Sequence, residues 1–100
     1  MTTKITIIVD AEDPTAFEAA YPGLLAAARE LPDLQRVEAA KVWPKEDGSP
    51  TPASRTLDLY FDDYDTASAA TATPEAGALF GGLAATGASI TGLFSDVEED

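Results

Sequence analysis

The chain of 100 residues contains neither cysteine nor histidine. Without cysteine it can form no disulfide, no thiolate nucleophile and no thiolate metal site. Without histidine it lacks the side chain most often used as a general base near neutral pH, which is also the commonest metal ligand. Any acid–base chemistry therefore depends on carboxylates, tyrosine, lysine or water, and we predict no metal site.

Basic side chains are also scarce, since 6 of them stand against 18 acidic ones and give a formal net charge of −12. The second half of the chain, residues 51–100, contains nine acids and a single base, Arg55. Such a field repels phosphate backbones and anionic lipid, so we expect neither nucleic acid nor a membrane as a partner. The acidity is more typical of a solubility feature than of an acidic docking tail.

Long apolar runs are rare as well. The opening "MTTKITIIVD" has too short an apolar core for a signal peptide. Residues 76–95 are uncharged over twenty positions, but five glycines and four serines or threonines argue against a membrane span. We therefore expect a cytoplasmic protein in which residues 1–100 form one small domain with an acidic tail at 95–100.

Four segments are predicted to be strands: residues 4–10, 34–43, 55–63 and 88–94. The alternation is clearest in 55–63, where Leu57, Leu59 and Phe61 are separated by Asp58 and Tyr60. Residues 44–54 contain three prolines and are predicted to be a loop.

A helix is predicted after the first strand, with Asp13 as its N-cap, Pro14 at its first position and Pro32 beyond its end. One apolar stripe along it consists of Phe17, Tyr21, Leu24, Leu25 and Ala28. Pro22 and Gly23 interrupt this pattern, and inside a helix they cost about 3 and about 1 kcal/mol. We therefore predict two helical pieces, with their junction beside a cavity.

A second helical region is predicted over residues 63–87, capped by Asp63 or Asp65, restarting at Thr73 and stopping at Gly87. The resulting order, β-α-β-β-α-β, predicts an α+β ferredoxin-like plait, an antiparallel four-stranded sheet with both helices on one face. The other sheet face would be exposed, and face-to-face dimerisation is the usual way to cover it.

The sequence resembles the EthD family of the dimeric α/β-barrel superfamily along nearly its whole length. The resemblance rests on "LPDL" at 31–34, "LYFDD" at 59–63, "TPEAGA" at 73–78 and "FSDVEE" at 94–99. It implies a homodimer whose sheets close into a barrel, with a small apolar cavity between sheet and helices in each subunit. It also implies an accessory role in oxidative degradation or biosynthesis, or cofactor-free oxygenase, isomerase or cyclase chemistry, so no cofactor is expected.

One departure from the family pattern concerns Leu24. Many EthD-like chains have a histidine followed by "xPL" in the second half of the first helix, and counting back from "LPDL" puts that histidine at Leu24. The proline of the motif falls near Ala26. No catalytic residue can therefore be carried over position by position.

Weak candidates for proton transfer are Tyr21, Asp58 and Tyr60. Tyr21 lies one turn before Leu24, where its hydroxyl could donate to a substrate carbonyl, although a core tyrosine with a hydrated hydroxyl explains it as well. Asp58 and Tyr60 share one strand face. They line the cavity if that face meets the helices, and they face the partner subunit if the leucine face does.

Candidate ligand-binding residues are Phe17, Tyr21, Leu24, Leu25, Arg36, Trp43 and Tyr60. Arg36 shares a strand face with Glu38, which favours an ion pair with a neighbouring strand over an anchor for a substrate carboxylate. Trp43 is predicted on the same face as Val37 and fits an interface or core aromatic better than a stacking platform.

The cluster "DDYD" at 62–65 could offer oxygens to a hard cation, but it lacks the glycine and distal glutamate of a calcium loop, so helix capping explains it better. Three functions remain open. The first is an accessory protein that binds a small apolar or aromatic carbonyl compound, and the second is a cofactor-free enzyme. The third is a structural dimer that binds a partner protein.

Overall fold

The computed structural model describes residues 1–51 and 53–99 and contains seven elements. They are β1 (Thr3–Asp10), α1 (Pro14–Arg29), β2 (Arg36–Lys41), β3 (Arg55–Phe61), α2 (Tyr64–Thr71), α3 (Pro74–Ala85) and β4 (Ser89–Asp96). Pro52 of the predicted loop and Asp100 of the predicted acidic tail lie outside the described residues.

The four strands form one antiparallel sheet in the order β2-β3-β1-β4. With the helices packed on one side, this is the α+β ferredoxin-like fold that the sequence predicts. Six of the eight strand boundaries differ from the prediction by one or two residues, and two of these differences change the position of predicted features. β2 ends at Lys41, before Trp43, and β4 continues through Asp96 into the predicted tail.

The core lies between the helices and one face of the sheet. Alternate residues of β1 and β3 enter it, among them Ile7, Leu59 and Phe61, none of which has exposed surface. The helices contribute Phe17 and Leu79. Because side chains alternate along a strand, the remaining residues of β1 and β3 all point to the opposite side of the sheet.

The second helical region divides as predicted, with Thr73 capping α3 by accepting a hydrogen bond from the backbone N–H of Ala76 at 3.2 Å. Asp63, rather than Asp65, caps α2 by accepting from the N–H of Thr66 at 2.8 Å. Hydrogen bonds to the hydroxyl of Thr66 and, second, to its N–H lower the pKa of Asp63. After α3, Gly87 adopts φ +80°, a conformation that glycine takes without strain.

The predicted break at Pro22–Gly23 is wrong, because α1 is continuous through both residues. A proline removes one hydrogen bond from a helix, and here both residues are exposed, so neither disturbs the core. A break would separate Phe17 from Leu24 and Ala28, which are all buried on one face of the helix. Packing of that face therefore overrides the local preference. No helix among the described residues is long and apolar enough to cross a membrane.

Candidate functional site

The sheet face away from the helices, called the open face below, has polar and apolar side chains in three rows across the strands. Cross-strand register places Arg36, Tyr60, Lys4 and Ser95 in the first row. The second row is Glu38, Asp58, Thr6 and Leu93, and the third is Ala40, Thr56, Ile8 and Thr91. Charged side chains therefore concentrate at one end of the face.

Arg36, Glu38 and Tyr60 form one connected group on this face. The Arg36 Nη1 donates to Glu38 Oε2 at 3.1 Å, and the Tyr60 hydroxyl donates to Glu38 Oε1 at 3.1 Å. The guanidinium carbon of Arg36 lies 4.0 Å from the centre of the Tyr60 ring, which is cation–π distance. One carboxylate thus fixes both the arginine and the tyrosine.

The ion pair predicted between Arg36 and a neighbouring strand does not form. Register places Tyr60 opposite Arg36, and it places another acid, Asp58, opposite Glu38. Among residues 1–51 and 53–99, Arg36 instead pairs with Glu38, two residues along the same strand.

Asp58 is the centre of a second group. Its Oδ1 accepts a hydrogen bond from the Thr6 hydroxyl at 2.6 Å, and the Lys4 Nζ lies 3.8 Å from the same oxygen. The sequence left open which face of β3 packs against the helices. In the structure the face with Leu57, Leu59 and Phe61 does so. Asp58 and Tyr60 therefore both lie on the open face.

The pKa of Tyr60 is raised above its usual range. The largest cause is desolvation, followed by the hydrogen bond to Glu38 and the charges of Glu38 and Asp58, while Arg36 opposes the shift. The phenol therefore stays protonated at neutral pH. In this state Tyr60 is a hydrogen-bond donor and not a base.

A pocket of about 320 Å³ opens at this end of the face. It is lined by Thr2, Lys4, Gln35, Arg36, Tyr60, Val97 and Glu99. Gln35 is held at its edge by a backbone hydrogen bond to the Tyr60 carbonyl at 2.8 Å, and its side-chain amide donates to Asp62. The pocket is mainly polar: it combines two cations, one acid and a phenol, and Val97 is its one apolar residue.

The four candidates on α1 do not reach this pocket. Phe17 and Leu24 are buried, while Tyr21 and Leu25 are partly buried against the same core. Leu24, the position of the family histidine, packs so closely against α3 that a Cβ on Gly82 would lie 2.6 Å from its Cδ2. Leucine therefore occupies the space that a reactive side chain would need.

Trp43 lies apart from both groups. It is 87% exposed and, with Lys41, Val42 and Pro44, borders a second pocket of about 370 Å³. Arg36 begins β2 and Trp43 follows its end, so at about 3.3 Å per residue they are separated by roughly 20 Å. A third pocket, of about 120 Å³, lies beside Tyr64 and Phe94. None of these three pockets is lined by a residue of α1.

The predicted site residues therefore fall into three places, and only Arg36 and Tyr60 share a pocket. Sequence reasoning missed Lys4 and Glu99 in that pocket. Lys4 had a usable signal, because the alternation of β1 puts it on the polar side with Thr6. Glu99 had none, since it follows the last strand.

A buried arginine was also missed. Arg55 lies on the helix-covered face, donates to Glu18 of α1 and donates from Nη1 to the Ser54 carbonyl at 3.2 Å. Its guanidinium carbon lies 5.0 Å from the ring centre of Tyr21 and 5.8 Å from that of Phe17. The side chain of Tyr21 therefore helps to enclose a structural charge.

Comparisons with known proteins identify the fold. No protein-family model matches the sequence, and no curated protein matches it either. The structure is similar to that of an EthD family protein from Bacillus halodurans C-125, with a TM-score of 0.80, 22% identity and coverage of 97% of this chain and 98% of the other. The resemblance carried by the sequence is thus matched by a structural likeness to a protein of that family.

Two further solved structures extend the comparison. A dimeric ferredoxin-like protein of unknown function from Jannaschia sp. CCS1 gives a TM-score of 0.74 at 19% identity, covering 97% of this chain and all of the other. SnoaB, a cofactor-independent oxygenase from Streptomyces nogalater, gives 0.68 at 17%, covering 99% and 93%. At these identities the likeness shows the fold alone, so the chain has a ferredoxin-like fold that is found in dimeric proteins.

Proposed function

We propose that this protein is a homodimer that binds a small apolar or aromatic carbonyl compound in the pocket on the open face. Its role would be that of an accessory protein in an oxidative degradation or biosynthesis pathway. The proposal takes its fold and dimeric state from the likeness to EthD-like and dimeric ferredoxin-like proteins. Its site comes from the geometry of the pocket.

The observation that carries the proposal is the pocket formed by Lys4, Arg36 and Tyr60, which opens on the face that has no helix over it. A volume of about 320 Å³ is at the lower end of the range for small-molecule sites. A second copy packed face to face would close the pocket and exclude water. Tyr60, kept protonated, would then turn its single O–H away from Glu38 and donate it to a ligand carbonyl.

A cofactor-free enzyme is the second candidate, favoured by the likeness to the oxygenase SnoaB. Positioning of a substrate between two subunits would provide its rate enhancement. Two carboxylates lie near Tyr60 on the open face: Glu38, which accepts its hydrogen bond, and Asp58, which lies opposite Glu38. The raised pKa of Tyr60 keeps the phenol protonated, which favours a role for Tyr60 in ligand binding over a role in proton abstraction.

Light scattering at micromolar concentration tests the dimer. We expect a mass about twice that of the 10.4 kDa chain. A mass near that of one chain would contradict the homodimer and remove the cover that the pocket requires.

Titration calorimetry with acetophenone, as a neutral aromatic ketone, tests the site. We expect Tyr60→Phe to weaken binding up to about tenfold, because the O–H that turns from Glu38 to the carbonyl is lost. Tyr64→Phe is the matched control, since Tyr64 borders a different pocket. Equal effects of the two variants would show that the ketone binds at another site. Turnover of the ketone would favour the second candidate function, a cofactor-free enzyme.

A further inference from the structure

The geometry points to an anionic ligand: we infer that the pocket on the open face selects an aromatic acid, whose carboxylate binds to Arg36 and Lys4 while its ring lies beside Tyr60. This inference rests on the proposed function, because it names the ligand class for that same pocket.

The distribution of positive charge is the first argument. The chain has 6 basic side chains against 18 acidic ones, yet two of the 6 line one pocket of about 320 Å³. Register puts Arg36 and Lys4 on either side of Tyr60 in one row. Neighbours in such a row have Cβ atoms about 5 Å apart, so Arg36 and Lys4 are about 10 Å apart, and their long side chains can reach one carboxylate between them.

The donors still available to a ligand are the second argument. A guanidinium has five N–H donors, and the described contacts of Arg36 use Nη1 and the face of the group. The Lys4 ammonium lies 3.8 Å from Asp58, beyond hydrogen-bond distance, and that oxygen already accepts from Thr6. Both cations are thus positioned by acids, and both retain donors.

A cationic ligand is disfavoured by the same contacts. The face of the Tyr60 ring that could attract an ammonium group is already occupied by Arg36. Lys4 and Arg36 would also repel it. Glu99 lines the pocket and opposes an anion, so it should weaken binding of an acid without abolishing it.

The experiment compares benzoate with benzamide, two ligands of nearly the same shape, by titration calorimetry on the full chain. We expect benzoate to bind at least tenfold more tightly than benzamide. Arg36→Gln should remove that preference, because it should weaken benzoate binding far more than benzamide binding. Arg29→Gln, which removes an exposed arginine at the end of α1, is the matched control and should change neither.

Glu99→Gln provides a readout in the opposite direction. Removing this acid should strengthen benzoate binding severalfold and change benzamide binding much less, an asymmetry that a purely structural role would not produce. Circular dichroism of each variant verifies that the fold is retained.

Two results would overturn the inference in distinguishable ways. Equal binding of benzoate and benzamide, with no effect of Arg36→Gln, would refute the anionic ligand and leave the proposed pocket intact. Failure of both ring compounds and of acetophenone to bind at millimolar concentration would refute the proposed function and this inference together.

Discussion

The two faces of the sheet differ sharply although the same strands build both. On the helix-covered face, Leu57, Leu59 and Phe61 of β3 are buried beneath the helices. On the open face, Asp58 and Tyr60 alternate with them and contact charged neighbours. The comparison suggests that the first face provides the stability of the fold and that the second is available for recognition.

The largest expected effect separates these roles directly. Leu59 has no exposed surface, so Leu59→Ala should lower the free energy of unfolding by about 3 kcal/mol, through lost burial and the cavity that remains. Thr56→Ala, on the open face, should cost less than about 1 kcal/mol. Urea denaturation at one fixed protein concentration measures both. Similar losses of stability in the two variants would contradict the assignment of stability to the helix-covered face.

A second comparison uses two Arg–Glu pairs on opposite faces. The Arg55 side chain is 9% exposed and its partner Glu18 is 54% exposed, whereas Arg36 and Glu38 are 59% and 52% exposed. Glu18→Gln should cost about 1 to 2 kcal/mol, because it leaves a buried guanidinium without its counter-ion.

The matched variant Glu38→Gln should cost less than about 1 kcal/mol, as for most exposed pairs. Urea denaturation of both variants measures these losses. The Glu18→Gln/Arg55→Met double mutant, which also removes the guanidinium, should be less destabilised than Glu18→Gln if the unpaired charge is the cause. If Glu38→Gln lost more stability than Glu18→Gln, the exposed pair would contribute more than the buried pair, contrary to this prediction.

A third comparison tests how tightly the helix-covered side is packed. A Cβ on Gly82 would lie 2.6 Å from Leu24 Cδ2, while one on Gly81 would meet nothing within 4 Å. Gly81→Ala should gain about 0.5 to 1 kcal/mol from helix propensity. Gly82→Ala should be less stable than Gly81→Ala by about 1 to 3 kcal/mol, because Leu24 must move. Equal thermal midpoints would show that the core has room at Leu24.

The smallest effect concerns pH on the open face. Because the folded state raises the pKa of Tyr60, the resulting stability is present below the unfolded value of about 10. It is lost as pH rises through the folded pKa. Near-ultraviolet titration should show that Tyr60 ionises above its usual pH range, and Tyr60→Phe should remove this late step. Glu38→Gln should shift that phenol to lower pH, and an unchanged curve would exclude Glu38 as a cause.

Much of the fold was predictable because local signals and burial agree. Three patterns each predict a single local structure, and the structure confirms them: the alternation in β3, the cap at Asp13 and the helix restart at Thr73. The prediction failed where the two conflict. Pro22 and Gly23 disfavour a helix locally, but the buried stripe on either side of them keeps α1 continuous.

The site was less predictable because it depends on register between strands. Arg36 and Tyr60 could be named from residue type, but nothing local shows that they are opposite each other or that Glu38 joins them. Candidates on α1 were selected by analogy with a family histidine. The close packing of Leu24 against Gly82 is a property of two distant helices, and no pattern within either helix reveals it.

Trp43 has a practical consequence for experiments in solution. It is the only tryptophan in the chain, and at 87% exposure its indole is already in water in the folded subunit. Its fluorescence should therefore change little when a subunit unfolds, and it is a poor monitor of stability. The same exposure makes it a sensitive optical probe of anything that covers the end of β2, because a shift of its emission to shorter wavelength would report that event directly.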